Sequence, residues 1–207
     1  RRIVVRQASD DGLIDCSDME HALSDYPSVY ALGHVTILDL FLDPVVVEEK
    51  VDGSPISFAL LDGTLVCRSK RVDISVDAPD GMFAKAIETI KGLPLCPGWI
   101  YRAEFLSKPK HHTLAYDRVP KNHLALFDVE RSNGSFLNTY AKKEEAIRLG
   151  LDCVPLLATG RIHDIQTIKD FLRLPSFLGG PTVEGVVIKN YCRFGVNQKI
   201  LIGKHVS

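Results

Sequence analysis

A chain of 207 residues, 45% hydrophobic and 25% charged, is long enough to bury a sizeable core and has the composition of an ordinary globular protein. Its formal net charge of −1 excludes polyanion binding driven by total charge, while leaving room for a local basic groove. No apolar run approaches the ~18 residues of a membrane span, and no signal-peptide pattern opens the chain.

In chain order, "HALSDYPSVYAL" offers a helix before Pro27, within a helical lead-in over residues 1–43. "PVVVEE" is a strand that runs straight into Lys50, Val51, Asp52 and Gly53. "ISFALLDGTLVCR" is two alternating runs around Asp62-Gly63, a hairpin signal because both residues tolerate the positive φ of a type I′ turn. Residues 81–91 form a helix with Met82, Phe83, Ala86, Ile87 and Ile90 on one face, Asp80 as cap and Gly92 as stop. "GWIYRAEFL" and "HLALFDVE" are further strands by their β-branched and aromatic content. Short helices follow at 140–149 and at 165–172, the latter capped by Asp164, and "TVEGVVIK" and "QKILIGKHV" are the closing strands. The order gives an α+β fold of mixed, mainly antiparallel sheets with outer helices. No glycine-rich loop opens a helix, so neither a P-loop nor a dinucleotide fold is supported.

Cys16, Cys67, Cys96, Cys153 and Cys192 are scattered, odd in number and show no C-x-x-C. They read as reduced thiols of an intracellular, cytoplasmic protein. The missing initiator Met and the ending "IGKHVS" suggest a piece excised from a longer chain.

Charged residues recur at the ends of these apolar strands: Lys50 and Asp52, Arg68 and Lys70, Glu104, Asp128, Glu184, Lys189 and Lys204. Charges are rarely buried unless paired or functional. Converging lysines and carboxylates in a partly dry groove suit a nucleoside triphosphate with a divalent metal. A lysine is protonated at neutral pH, so one that attacks must lose its proton, which burial and neighbouring cations promote. Gly53 lets backbone approach a phosphate closely. Taken singly, each residue has a plainer reading: Lys50 as a loop lysine, the glutamates as solvent-facing strand positions, Phe127 as core.

In order, "KVDG", "RSK", "YRAEFL", "LFDVE", "EGVVIK" and a lysine-bearing last strand resemble the covalent nucleotidyltransferase superfamily of RNA ligases, DNA ligases and mRNA capping enzymes. "YALGHVTILDLFLDPVVVEEKVDGSPISF", "KPKHHTLAYDRVPKNHLALFDVE" and "IGKHVS" are similar in particular to ATP-dependent RNA ligases of the phage type, over residues 28–207. The resemblance implies a single nucleotidyltransferase (ATP-grasp-like ligase) domain over residues 1–207, with a further C-terminal domain outside this sequence.

It also implies roles. Lys50 attacks the α-phosphate of ATP and carries AMP. Glu49 faces the adenine and Phe127 stacks on it. Arg68 contacts the ribose or the incoming phosphate end. Glu104 is associated with ribose and metal, and Glu184 and Asp52 with the metal, Mg²⁺ or Mn²⁺. Asp52 and Gly53 shape the turn that lets the metal-bound nucleotide come close. Lys189 and Lys204 surround the phosphates. Lys199 and Lys204 stand five apart, where the family's last motif has K-x-K, and Lys204 is the better match. The implied partner is RNA with a 5′-phosphate and a 3′-OH, joined by a monomer without a membrane.

The basic clusters "CRSKR" and "SKPKHH", with Arg118 and Lys121, read either as solvated loops or as contacts to an RNA backbone. Few aromatics lie near them, so no stacking platform for single strands is expected. A DNA ligase, a capping-type enzyme and a non-catalytic nucleic-acid-binding module of the same fold remain alternatives.

Overall fold

Among residues 23–79 and 81–207, those described by the computed structural model, eleven strands assemble into two sheets. The first has the order β1 (Val29–Ala31), β11 (Ile200–Val206), β10 (Gly185–Phe194), β2 (Val45–Lys50), β9 (Leu156–Gly160). The second has the order β5 (Asp73–Ile74), β4 (Thr64–Ser69), β3 (Ser54–Leu61), β6 (Ile100–Phe105), β7 (Leu124–Glu130), β8 (Asp152–Cys153). Every pairing is antiparallel except β1 with β11 and β7 with β8. The α+β architecture read from the sequence is the observed one.

Period-two alternation decides which face each strand buries. Ile56 and Phe58 of β3, Tyr101, Ala103 and Phe105 of β6, and Leu124, Leu126 and Val129 of β7 enter one core. Helix α1 (Ala84–Lys91) adds Ala86, Ile87 and Ile90 to it, and α2 (Thr139–Leu149) adds Ala146 and Leu149. The first sheet buries Val45, Val47, Val186, Ile188 and Leu201 against Ile168 of α3 (Ile165–Phe171) and Ile37 and Leu40 of a 3-10 stretch, Val35–Phe41. Helices therefore cover the outer faces, and the inner faces are left to meet each other.

The β3–β4 turn has φ of 47° at Asp62 and 81° at Gly63, the doubly positive geometry expected of Asp-Gly. Asn138 caps α2 by accepting from the Ala141 amide, and Asp164 caps α3 by accepting from Gln166. Helix α1 begins three residues later than the sequence suggests. Met82 precedes its first turn and stays half exposed, and the proposed cap Asp80 lies outside the described residues. Of the early helix before Pro27, residues 23–27 show no helix and the rest lies outside the described residues, as does Cys16. Strand β1 and the 3-10 stretch occupy positions 29–41 of the segment read as a helical lead-in. Among the described residues no helix is long and apolar enough to cross a membrane.

Candidate active site

The inner faces of the two sheets enclose a cavity of about 850 Å³. From the first sheet come Glu48 and Lys50 of β2, Val187 and Lys189 of β10, and Lys204 of β11. These share one face because Val187 pairs with both Glu48 and Lys204. From the second come Ser57 of β3, Arg68 of β4, Arg102 and Glu104 of β6, and Phe127 of β7. Lys70 and Lys199 also reach the cavity wall.

Lys50 ends β2 opposite Gly185, which places it beside Glu184. Its ammonium donates to both carboxylate oxygens, at 2.8 and 2.6 Å, and each side chain is 25% exposed. Glu104 lies in the same charge field, and burial pushes its carboxyl up to about 8. Lys50 and an N–H bond from Gly53 pull the other way, while Glu184 and Asp52 push with the burial. Gly53 is required by closeness rather than by φ. A Cβ there would stand 2.6 Å from Leu106 Cδ1, 2.7 Å from the Phe105 carbonyl oxygen and 2.8 Å from Glu104 Cγ.

Asp52 is turned elsewhere. Its carboxylate accepts from the amides of Thr113 and Leu114, at 2.7 and 2.8 Å, and its own amide donates to the Tyr116 hydroxyl. It thus anchors the 107–116 loop, and is not among the cavity-lining residues, where the resemblance had grouped it with the metal carboxylates. Glu49 reaches the cavity wall, but its carboxylate accepts from the Ser176 hydroxyl and the Phe177 amide, and burial raises its pKa. Two histidines of the basic "SKPKHH" cluster are tied to the turn after Lys50: the Nε2 atoms of His111 and His112 lie 3.0 and 3.2 Å from Ser54 Oγ, one residue beyond Gly53. Arg118 of the same loop pairs with Asp152 at 2.7 Å.

A bulge shapes the far wall. The β6–β7 register slips between Arg102↔Asp128 and Ala103↔Leu126, leaving Phe127 as the extra residue. Without that slip Phe127 and Asp128 would point to opposite faces. With it, Phe127 lines the cavity while Asp128 reaches Lys189 at 3.0 Å. The freed Phe127 carbonyl accepts from two ammoniums, Lys142 at 2.9 Å and Lys189 at 2.6 Å. Both lysines also bind Glu48. The hydroxyls of Tyr26 and Tyr191 donate to Asp128. Tyr26 also meets Phe127 edge to face, with ring centroids 5.4 Å apart. Despite burial, the two carboxylates hold Lys189 charged, its pKa raised.

Arg68 bonds Asp25 at 2.8 Å and the Leu23 carbonyl at 3.3 Å. Arg102, 2% exposed, donates to Ser57 Oγ and to the Ser24 carbonyl, at 2.8 and 2.7 Å. Lys199 donates to the Asp25 carbonyl at 2.5 Å. Residues 24–28 accordingly border the cavity beside these cations. The structure thus brings Lys50, Gly53, Arg68, Glu104, Phe127, Lys189 and Lys204 to one cavity, with Glu184 held against Lys50. Arg102, Glu48 and Lys142 were not singled out in the sequence. Arg102 was within reach of it, standing two residues from Glu104 on the same strand face. Lys142 was not, since "AKKEEAIR" reads as a solvated helix surface.

Cations and carboxylates gathered in a cleft between two mainly antiparallel sheets, around one strand-end lysine, make a site for a phosphorylated ligand. The chain belongs to the RNA ligase family, whose model it matches over residues 43–206. Among solved structures it is similar to the Naegleria gruberi RNA ligase. The form with PPi aligns at 16% identity and a TM-score of 0.64, over 89% of this chain and 56% of that one. A lysine-to-alanine variant with ATP and Mn aligns at 15% and 0.64, over 88% and 56%. A glutamate-to-alanine variant with AMP and Mn aligns at 15% and 0.64, over 88% and 55%. At such identities the likeness is one of fold, and the chain spans little more than half the length of these relatives. No curated protein sequence matches it.

Proposed function

We propose that this chain is the nucleotidyltransferase domain of an ATP-dependent RNA ligase, one that becomes adenylylated on Lys50. The observation that carries the reading is the pairing of Lys50 with Glu184 at a cavity that also holds Glu104, Lys189 and Lys204. Lys50 Nζ attacks the α-phosphorus of ATP. The Lys50 ammonium gives one proton to Glu184, the carboxylate already bonded to it; as the phosphoramidate N–P bond forms and the bond to pyrophosphate breaks, the second Nζ proton leaves with the pyrophosphate. AMP is then transferred to the 5′-phosphate of an RNA end, and a 3′-OH displaces AMP to leave a phosphodiester.

Nucleotidyl transfer needs positioning and charge neutralisation more than elaborate acid–base chemistry, and the residues fit that demand. Lys204 and Lys189 stand on the cavity face beside Lys50, where they neutralise charge on the leaving pyrophosphate. Phe127 offers a ring to the base.

Among the described residues no three His, Cys, Asp or Glu side chains converge on a metal position. Mg²⁺, however, is commonly held by one or two carboxylates together with phosphate oxygens and water. Glu104 and Glu184 fit that mode, both being close enough to Lys50 to act on each other's charge. A divalent ion there, Mg²⁺ or Mn²⁺, would supply electrophilic activation of the phosphate and disfavour the protonated amine. The relatives solved with ATP, AMP and Mn support the choice of nucleotide and metal.

The test is intact-protein mass after incubation with Mg²⁺ and ATP, with GTP in parallel and Lys50→Ala alongside. The reading requires a gain of one AMP on the parent protein alone. An equal gain on Lys50→Ala, or none on either protein, would defeat it.

A further inference from the structure

Lys142 and Lys143 are neighbours on α2, yet only Lys143 faces solvent. Lys142 is 1% exposed and runs inward from the helix, its ammonium bonded to Glu48 and to the Phe127 carbonyl. A buried ammonium is tolerated only when its charge and donors are met, and here the account closes. Lys142 and Lys189 face Glu48 and Asp128, two charges of each sign, all at most 1% exposed. The bulged Phe127 carbonyl takes a bond from each ammonium, and Tyr26 and Tyr191 satisfy Asp128.

Glu48, Phe127 and Lys189 belong to the cavity wall, whereas Lys142 does not. Without Lys142, one ammonium would stand against two carboxylates. The wall would then carry an uncompensated negative charge toward any polyphosphate, in a setting where charges are poorly screened. The Phe127 carbonyl would also lose one of its two bonds.

From this arrangement, and resting on the function proposed above, we infer that Lys142 is a positioning residue for nucleotide binding. It touches no nucleotide. It neutralises Glu48, so that the group of Glu48, Asp128 and Lys189 at the cavity wall carries no net negative charge toward the phosphates.

The experiment measures equilibrium binding of α,β-methylene-ATP with Mg²⁺, an analogue that cannot transfer its adenylyl group, and of adenosine. The proteins are the parent chain, Lys142→Met and the charge-balanced pair Lys142→Met with Glu48→Gln. Lys142→Met should weaken the analogue tenfold or more while changing adenosine less than threefold. The double variant should bind the analogue within threefold of the parent. The inference is overturned if folded Lys142→Met binds the analogue like the parent, if adenosine weakens as much as the analogue, or if the double variant stays as weak as the single. Should Lys142→Met fail to fold, the double variant decides alone. A parent that binds the analogue but never forms lysyl-AMP would sink the proposed function and leave this inference to the binding data, whereas a parent that binds neither ligand would sink both.

Discussion

Gly53→Ala tests whether the turn after Lys50 is set by closeness to β6. The new methyl would lie 2.6 to 2.8 Å from Leu106 Cδ1, the Phe105 carbonyl oxygen and Glu104 Cγ, whereas carbon contacts normally settle at about 3.5–4.0 Å. The overlap is thus roughly 0.7–1.4 Å. The Phe105 oxygen is backbone and cannot rotate aside, so the 51–54 turn and β6 must part. Overpacking of this kind costs about 1–3 kcal/mol. For a chain of this length that is a fall in melting temperature of about 2–12 °C. Because the shift falls on Glu104 and on the turn carrying Lys50, adenylylation should drop at least tenfold, misplacement by an ångström being worth about a hundredfold. Thermal melts and the rate of lysyl-AMP formation are the assays. Gly81→Ala is the control, since a methyl there meets nothing within 4 Å. A Gly53→Ala protein that melts and adenylylates like Gly81→Ala would refute the packing argument.

Glu184→Ala should change stability by under about 1 kcal/mol, because the ion pair with Lys50 is a quarter exposed on each side, yet lower lysyl-AMP yield at least a hundredfold; a normal yield would remove Glu184 from the reaction. Glu104 is held protonated to about pH 8 by burial, so folding takes up a proton and stability falls as pH rises from the ordinary carboxylate range toward 8, by up to about 1.4 kcal/mol per pH unit. Glu104→Gln should flatten that slope in metal-free urea titrations, and an unchanged slope would place the effect elsewhere. Asp52→Ala strips the acceptor from the Thr113 and Leu114 amides and should speed tryptic cleavage after Lys110 severalfold, a change that an unanchored loop would not show. The buried Cys67 thiol, pushed up to about 12 by burial, should resist iodoacetamide in the folded protein while the exposed Cys192 reacts; equal labelling would contradict the packing of the second sheet.

How far the sequence could be read depended on the range of each signal. Strands with apolar content and a glycine or Asp-Gly boundary were legible, as were the caps Asp164 and Gly92, because these signals act within a few residues. Lys50, Glu104, Glu184, Lys189 and Lys204 stood out because each interrupts an apolar strand. Strands β1, β5, β8 and β9 were not foreseen. They have two to five residues each, too few for a period to emerge, and they form only as partners of other strands. The direction of a side chain was harder still. Asp52 and Glu49 flank Lys50 in sequence, but loop amides around residues 113 and 177 claim their carboxylates. Lys142 shows the same limit from the other side, since its burial follows from a bulge near residue 127 that its own helix does not announce.

The order of strands in the first sheet also bears on when the site comes into being. β2 is made early, but it lies between β10 and β9, which follow it by more than a hundred residues. A chain still emerging from the ribosome would expose Lys50 as an ordinary solvated lysine, with Glu184, Lys189 and Lys204 not yet synthesised. Such distant pairings form late and together. The proposed nucleophile would thereby stay silent until synthesis has passed β11, and a truncated product would carry Lys50 without the groups proposed to act with it.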